Sequence, residues 1–132
     1  MKIVLTGASG LVGTALTESL IRDGHAVVRL VRRGSSDKKG GKKNGGDAVN
    51  RKPSGLKNVI DVAWNPNTCD LEGEPFGQDQ EKIEGADAAV NLAGASIAGE
   101  SWSDERKALL RSSRVHITRE LICALEKLED GP

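Results

Sequence analysis

The chain has no tyrosine, one phenylalanine and two tryptophans among its 132 residues. Without tyrosine, any chemistry assigned to these residues must do without a phenolic acid/base. So few aromatics also argue against a single-stranded nucleic-acid surface, because base stacking needs π faces. Cysteine is nearly absent as well. Cys69 and Cys123 cannot build a disulfide framework, and neither is flanked by a cation or histidine that would make it reactive. They read as ordinary thiols in a reducing compartment: the cytoplasm, or an organelle after loss of a transit peptide. The two histidines, His25 and His116, show no metal-ligand spacing with them, so no metal is expected. His25 reads as lying between a helix and a strand, and His116 as lying inside a helix. No apolar run approaches the ~18 residues of a membrane span. The run Ile3–Leu5 is too short for a signal-peptide core. Neither a membrane nor a nucleic acid is an expected partner.

Net charge is zero, but its distribution is uneven. Residues 29–57 carry ten Lys/Arg against Asp37 and Asp47, whereas residues 58–132 carry 15 acids and seven bases. The basic block falls in a Gly/Lys/Asn/Ser stretch with no aromatic among its cations. Residues 34–56 lack the apolar face a helix needs, and Gly with like charges favours disorder. They read as an exposed, flexible insertion.

Hydrophobic patterning around that block alternates between strand and helix. Lys2–Thr6 is a β-branched run stopped by Gly7 and reads as a buried strand. Leu11, Val12, Ala15, Leu16, Leu20 and Ile21 recur at helical steps, with Gly24 as the stop. His25–Val31 reads as a second strand and Val59–Trp64 as a third. A short helix is expected over Gln80–Glu84 and a fourth strand over Asp87–Ala93. Ser103 then caps a long helix whose inward stripe is Leu110, Ile117, Leu121, Ala124 and Leu128, and which runs to Gly131-Pro132. The expected fold is α/β, a partial Rossmann-type doubly wound parallel sheet of about four strands in the order 3-2-1-4.

The turn Gly7-Ala8-Ser9-Gly10-Leu11-Val12-Gly13 joins the first strand to the first helix. Glycine is needed there for separable reasons. Gly7 permits a sharp turn, Gly10 lets the backbone approach a pyrophosphate, and Gly13 lets the helix pack close to the strand. The helix N-terminus then offers free N–H donors to phosphate. The spacing G-x-x-G-x-x-G differs from the G-x-G-x-x-G fingerprint. An acid that would hold a ribose 2′-hydroxyl is absent from the end of the second strand, where Arg32 and Arg33 stand. Arginine there suits a 2′-phosphate, so NADP is favoured over NAD.

These residues resemble the short-chain dehydrogenase/reductase superfamily. Thr6-Gly7-x-x-Gly10-x-x-Gly13 is similar to its cofactor turn, and Asn91-Leu92-Ala93-Gly94 to its N-x-A-G motif. The run Asn91 to Gly99, then Trp102 and Ser113-Arg114-Val115, resembles the atypical extended branch called epimerase family proteins, which are NAD-dependent epimerase/dehydratase-like. Trp64-Asn65-Pro66 resembles that branch's W-D-P. The resemblance covers the chain except residues 34–56. It implies that residues 1–132 are the N-terminal NAD(P)-binding portion of an oxidoreductase or epimerase. A fifth strand with a Ser/Thr, a Tyr/Lys pair and a substrate region would follow it. On that reading no catalytic residue lies in this chain, which is inactive alone and acts in full-length form on an unknown small molecule.

The candidate cofactor contacts are Gly7, Ser9, Gly10, Leu11, Val12, Gly13, Arg32, Arg33, Leu92, Ala93 and Gly94. The hydroxyls of Thr6 and Ser9 can reach phosphate or cap backbone groups. Ala93 and Gly94 can be small for the adenosine side or for packing. Trp64 is expected in the core and Trp102 against the last helix's first turn. Ser113-Arg114 can face a ligand or form an exposed helical face. A non-catalytic nucleotide-binding or redox-sensing module, or an interaction domain without ligand, is the alternative function. An uncovered fourth-strand edge makes self-association possible.

Overall fold

The computed structural model describes residues 1–32, 57–66, 74–98 and 101–132. The expected insertion at 34–56 lies outside them, as do Arg33 and Cys69. Four strands, β1 (Lys2–Thr6), β2 (Ala26–Arg32), β3 (Val59–Trp64) and β4 (Ala88–Asn91), form one parallel sheet in the order β3-β2-β1-β4. Helix α1 spans Leu11–Arg22 and α2 spans Asp104–Leu125. A 3-10 helix, Gly77–Lys82, stands where a short helix was expected at 80–84.

Side-chain alternation divides the strands between two cores, as in a sheet covered on both faces. Val4, Val28, Leu30, Val62 and Trp64 pack with Phe76, Ile83 and Ala86 around the 3-10 helix, and with Leu121, Ala124 and Leu128. Leu5 and Val27 pack with Ala8 and with Leu16, Leu20 and Ile21 of α1. Trp64 is buried as expected, while Trp102 is 61% exposed. On the α1 face Arg29 forks onto Asp61 of the next strand at 2.6 and 2.8 Å.

Ser103 caps α2, its hydroxyl accepting from the Arg106 N–H at 3.2 Å, and Asp104 and Glu105 occupy the first turn. The Glu105 carboxyl lies below its usual range, held first by its own backbone N–H and then by the Ser103 hydroxyl. The helix stops at Leu125, short of Gly131. Glu84 accounts for the early stop. Its carboxylate accepts the Asp130 N–H at 2.9 Å and the Glu129 N–H at 3.4 Å, so the chain leaves α2 to dock beside the 3-10 helix. Cys123 is disulfide-bonded and is not the free thiol expected. Having only two cysteines excludes a framework of bridges but not a single bridge. Among the described residues no helix is long and apolar enough to cross a membrane.

Candidate functional site

The chain crosses to opposite faces of the sheet between β1 and β4, so the crevice beyond their C-terminal ends is a topological switch point. Two loops meet there. The first is the turn after β1. Gly7 has φ +66°, and a Cβ on it would stand 2.5 Å from the Leu92 carbonyl carbon and 2.7 Å from the Ala93 nitrogen. Its glycine is therefore demanded by the second loop, residues 92–98, as well as by its own backbone. A Cβ on Gly13 would come within 2.2 Å of the Gly7 oxygen and 2.7 Å of the Ala8 Cα. Gly13 thus seats α1 directly on the turn.

Gly10 differs from both. It is the N-cap of α1 with an ordinary φ of −73°, and a Cβ there would meet only the Gly7 oxygen, at 3.4 Å. The protein's own packing does not require glycine at this position. The end of α1 has no side-chain cap and no acid in its first turn. It offers the unpaired N–H groups and partial positive charge of a helix start to whatever lies outside. In contrast, α2 is capped by Ser103 and carries two acids in its first turn.

Seating on Gly13 also rotates α1 away from the orientation expected. The residues turned to the sheet are Gly13, Leu16, Thr17, Leu20 and Ile21, while Leu11 and Val12 are 91% and 64% exposed. Two apolar side chains therefore stand uncovered beside the open helix end. Ser9 and Gly10 are exposed next to them.

Thr6 has no hydroxyl to offer a phosphate. It is buried, and its Oγ1 donates to Asn91 Oδ1 at 2.5 Å. The same Asn91 oxygen accepts the Ala93 N–H at 3.1 Å, and Asn91 Nδ2 donates to Thr118 Oγ1 of α2 at 2.8 Å. Asn91 thus ties the end of β1, the second loop and α2 together. β4 ends at this residue, two short of the expected Ala93, because its ladder partner β1 has already turned away at Thr6. Leu92 is exposed, Ala93 half-buried and Gly94 exposed on the bank of the crevice opposite Leu11 and Val12.

Arg32 closes β2 in register with Trp64 and is exposed at the same C-terminal edge. Ser113 and Arg114 do not form a bare helical face. Both bond to Ala95 of the second loop, a contact that sequence reasoning missed. A groove of about 590 Å³ runs along α2, lined by Arg114, Val115, Thr118, Ile122, Cys123 and neighbours and by no residue of the glycine turn.

Residues 3–130 match the NAD dependent epimerase/dehydratase family. Epimerase family protein YfhF of Bacillus subtilis is 32% identical over 132 residues, covering all of this chain and 35% of that protein. Epimerase family protein Mb2239 of Mycobacterium bovis is 31% identical over 123 residues, covering 93% of this chain and 32% of that protein. Human epimerase family protein SDR39U1 (isoform 2), solved with NADPH, superimposes with a TM-score of 0.57 at 25% identity over all of this chain and 34% of that one. The chain thus spans about a third of the length of these relatives. With its parallel 3-2-1-4 sheet, its glycine turn and a family match across nearly every residue, the chain belongs to the NAD dependent epimerase/dehydratase family.

Proposed function

We propose that this chain binds the dinucleotide NADP(H), with NAD(H) as the weaker ligand, across the C-terminal ends of β1, β2 and β4. The pyrophosphate lies on the turn formed by Gly7, Ser9, Gly10, Leu11, Val12 and Gly13. There the N–H groups at the start of α1 donate to its oxygens. Arg32 and Arg33 hold the 2′-phosphate, and Leu92, Ala93 and Gly94 form the facing bank. The observation that carries this reading is Gly10. Its neighbours leave room for a side chain, it has none, and it stands at an uncapped, acid-free helix start. Space that the fold does not need is kept open where an anion is best received. NADPH in the human relative supports the same choice of nucleotide.

When bound, the nicotinamide ring supplies hydride transfer, and this chain's part is to hold and orient the nucleotide. The proton-transfer group is, by the family resemblance, a tyrosine, and these 132 residues contain none, so we place that group outside them. On this reading the chain alone binds nucleotide and turns over no substrate. The absence of tyrosine equally favours a second reading, a nucleotide-binding module with no catalytic role. Joining the chain to the remaining two-thirds of a relative separates the two, because only the first predicts that turnover appears. Gly10→Val tests the site itself. A branched side chain there abolishes NADPH binding in a calorimetric titration while the far-UV circular dichroism stays unchanged. Undiminished binding would make the turn a structural connection only.

A further inference from the structure

Position 94 is glycine without a backbone reason, because its φ is not positive. What crowds it is Arg114. A Cβ on Gly94 would stand 3.2 Å from both Cγ and Cζ of that arginine and 3.4 Å from its Nη1. Carbon atoms at their optimal separation lie roughly 3.5–4.0 Å apart, so the arginine has to give by a few tenths of an ångström to admit the methyl. The arginine is tied at both ends of its fork. Nη1 donates to the Leu110 carbonyl at 3.0 Å and Nη2 to the Ala95 carbonyl at 3.3 Å. Beside it, Ser113 Oγ accepts the Ala95 N–H at 3.2 Å. Adjacent residues of α2 thus hold both backbone groups of Ala95, and one of them, Arg114, stands against Gly94. The loop fixed in this way is the one whose Leu92 and Ala93 press on Gly7.

We infer that Arg114 is a positioning residue for nucleotide binding, and that position 94 is glycine to admit this arginine rather than the nucleotide. The inference rests on the binding site proposed above. Arg114 acts through the second loop: it holds Ala95, which sets Leu92 and Ala93 against the Gly7 turn and so fixes the width of the crevice. Two carbonyls caught by one planar fork call for guanidinium, which the point charge of lysine does not replace.

The test is a double-mutant cycle on the 132-residue chain, read by NADPH affinity, thermal midpoint and amide exchange at Ala95. Arg114→Ala weakens NADPH binding about tenfold, the loss expected of one or two modest hydrogen bonds. It also speeds exchange at Ala95. Gly94→Ala causes a smaller loss in the same direction, and the double variant is no worse than Arg114→Ala, because the atoms nearest the added methyl are then gone. Arg114→Lys, which keeps the charge, fails to restore affinity. Additive losses would show that Gly94 is small for the nucleotide's sake, and full rescue by lysine would show that charge rather than loop placement matters. Either result overturns the inference. If the unaltered chain binds no NADPH, the nucleotide reading fails, and with it the positioning role. The packing of Gly94 against Arg114 is then judged on thermal midpoints alone, where additivity would refute it.

Discussion

A single methyl group separates the roles of two glycines in the same turn. At Gly13 it would collide with backbone at 2.2 Å, and at Gly10 it would touch one oxygen at 3.4 Å. Gly13→Ala therefore unseats α1 and costs about 2 kcal/mol or more, the usual penalty of overpacking a close contact. Gly10→Ala costs less than about 1 kcal/mol, the difference between the two residues at an N-cap. Urea unfolding of both variants checks the contrast, and equal losses would remove the argument that Gly10 is kept open for a ligand. Both glycines were legible in the sequence as parts of one motif. Their separate parts, Gly10 for the pyrophosphate and Gly13 for helix packing, were also expected from the motif; what a side chain at each would meet was not, because spacing does not report it. The same holds for Arg114 and Thr6. Each looked able to face a ligand until the docking of α2 and the end of β4 gave their polar atoms internal partners.

At the scale of elements, the strands and their order followed from β-branched runs punctuated by glycine, and the 3-2-1-4 sheet is as expected. Ends were less legible. α2 stops at Leu125 because Glu84, some 40 residues earlier in the chain, draws residues 129 and 130 onto its carboxylate. No local pattern carries such a signal. The rotation of α1 was missed for a related reason. Leu11 and Val12 fit a helical stripe, but the contact of Gly13 with the turn decides which stripe faces the sheet. Glu84 also predicts a pH effect. The Asp130 N–H first, then the Gln80 amide, hold its carboxyl below its ordinary 4.5 against an opposing push from desolvation, with the Glu129 N–H and the Lys2 charge adding less. A carboxyl depressed in the folded state adds stability that is fully present above 4.5 and is lost as pH falls through the lower folded value. Protection of the amides at 128–131, taken relative to their intrinsic exchange at the same pH, therefore falls as pH drops through that value, and Glu84→Gln removes this change. Protection that stays constant in acid in the unaltered chain would contradict the docking.

For the whole molecule, the consequence lies in what stays uncovered. Among the described residues β4 pairs with β1 on one side only, and Ala88–Asn91 carries no charge to discourage pairing on the other. Val115 and Ile122, on one side of α2, are also more than half exposed, at 63% and 52%. An apolar edge beside an apolar helix side favours association. The expected outcome in sedimentation velocity is self-association that rises with concentration, reduced by Ala89→Lys at the exposed edge. A monomer at every concentration would show that these surfaces are not sticky enough to matter.

Whether the crevice between β1 and β4 receives NADP(H) is decided by titrating NADPH and NADH calorimetrically into the 132-residue chain, before and after Arg32→Ala with Arg33→Ala. NADPH is expected to bind more tightly by about tenfold or more, as one arginine–phosphate contact provides, and the double variant to bring the two affinities together. Equal affinities in the unaltered chain would contradict the 2′-phosphate assignment, and no binding of either nucleotide would contradict the site.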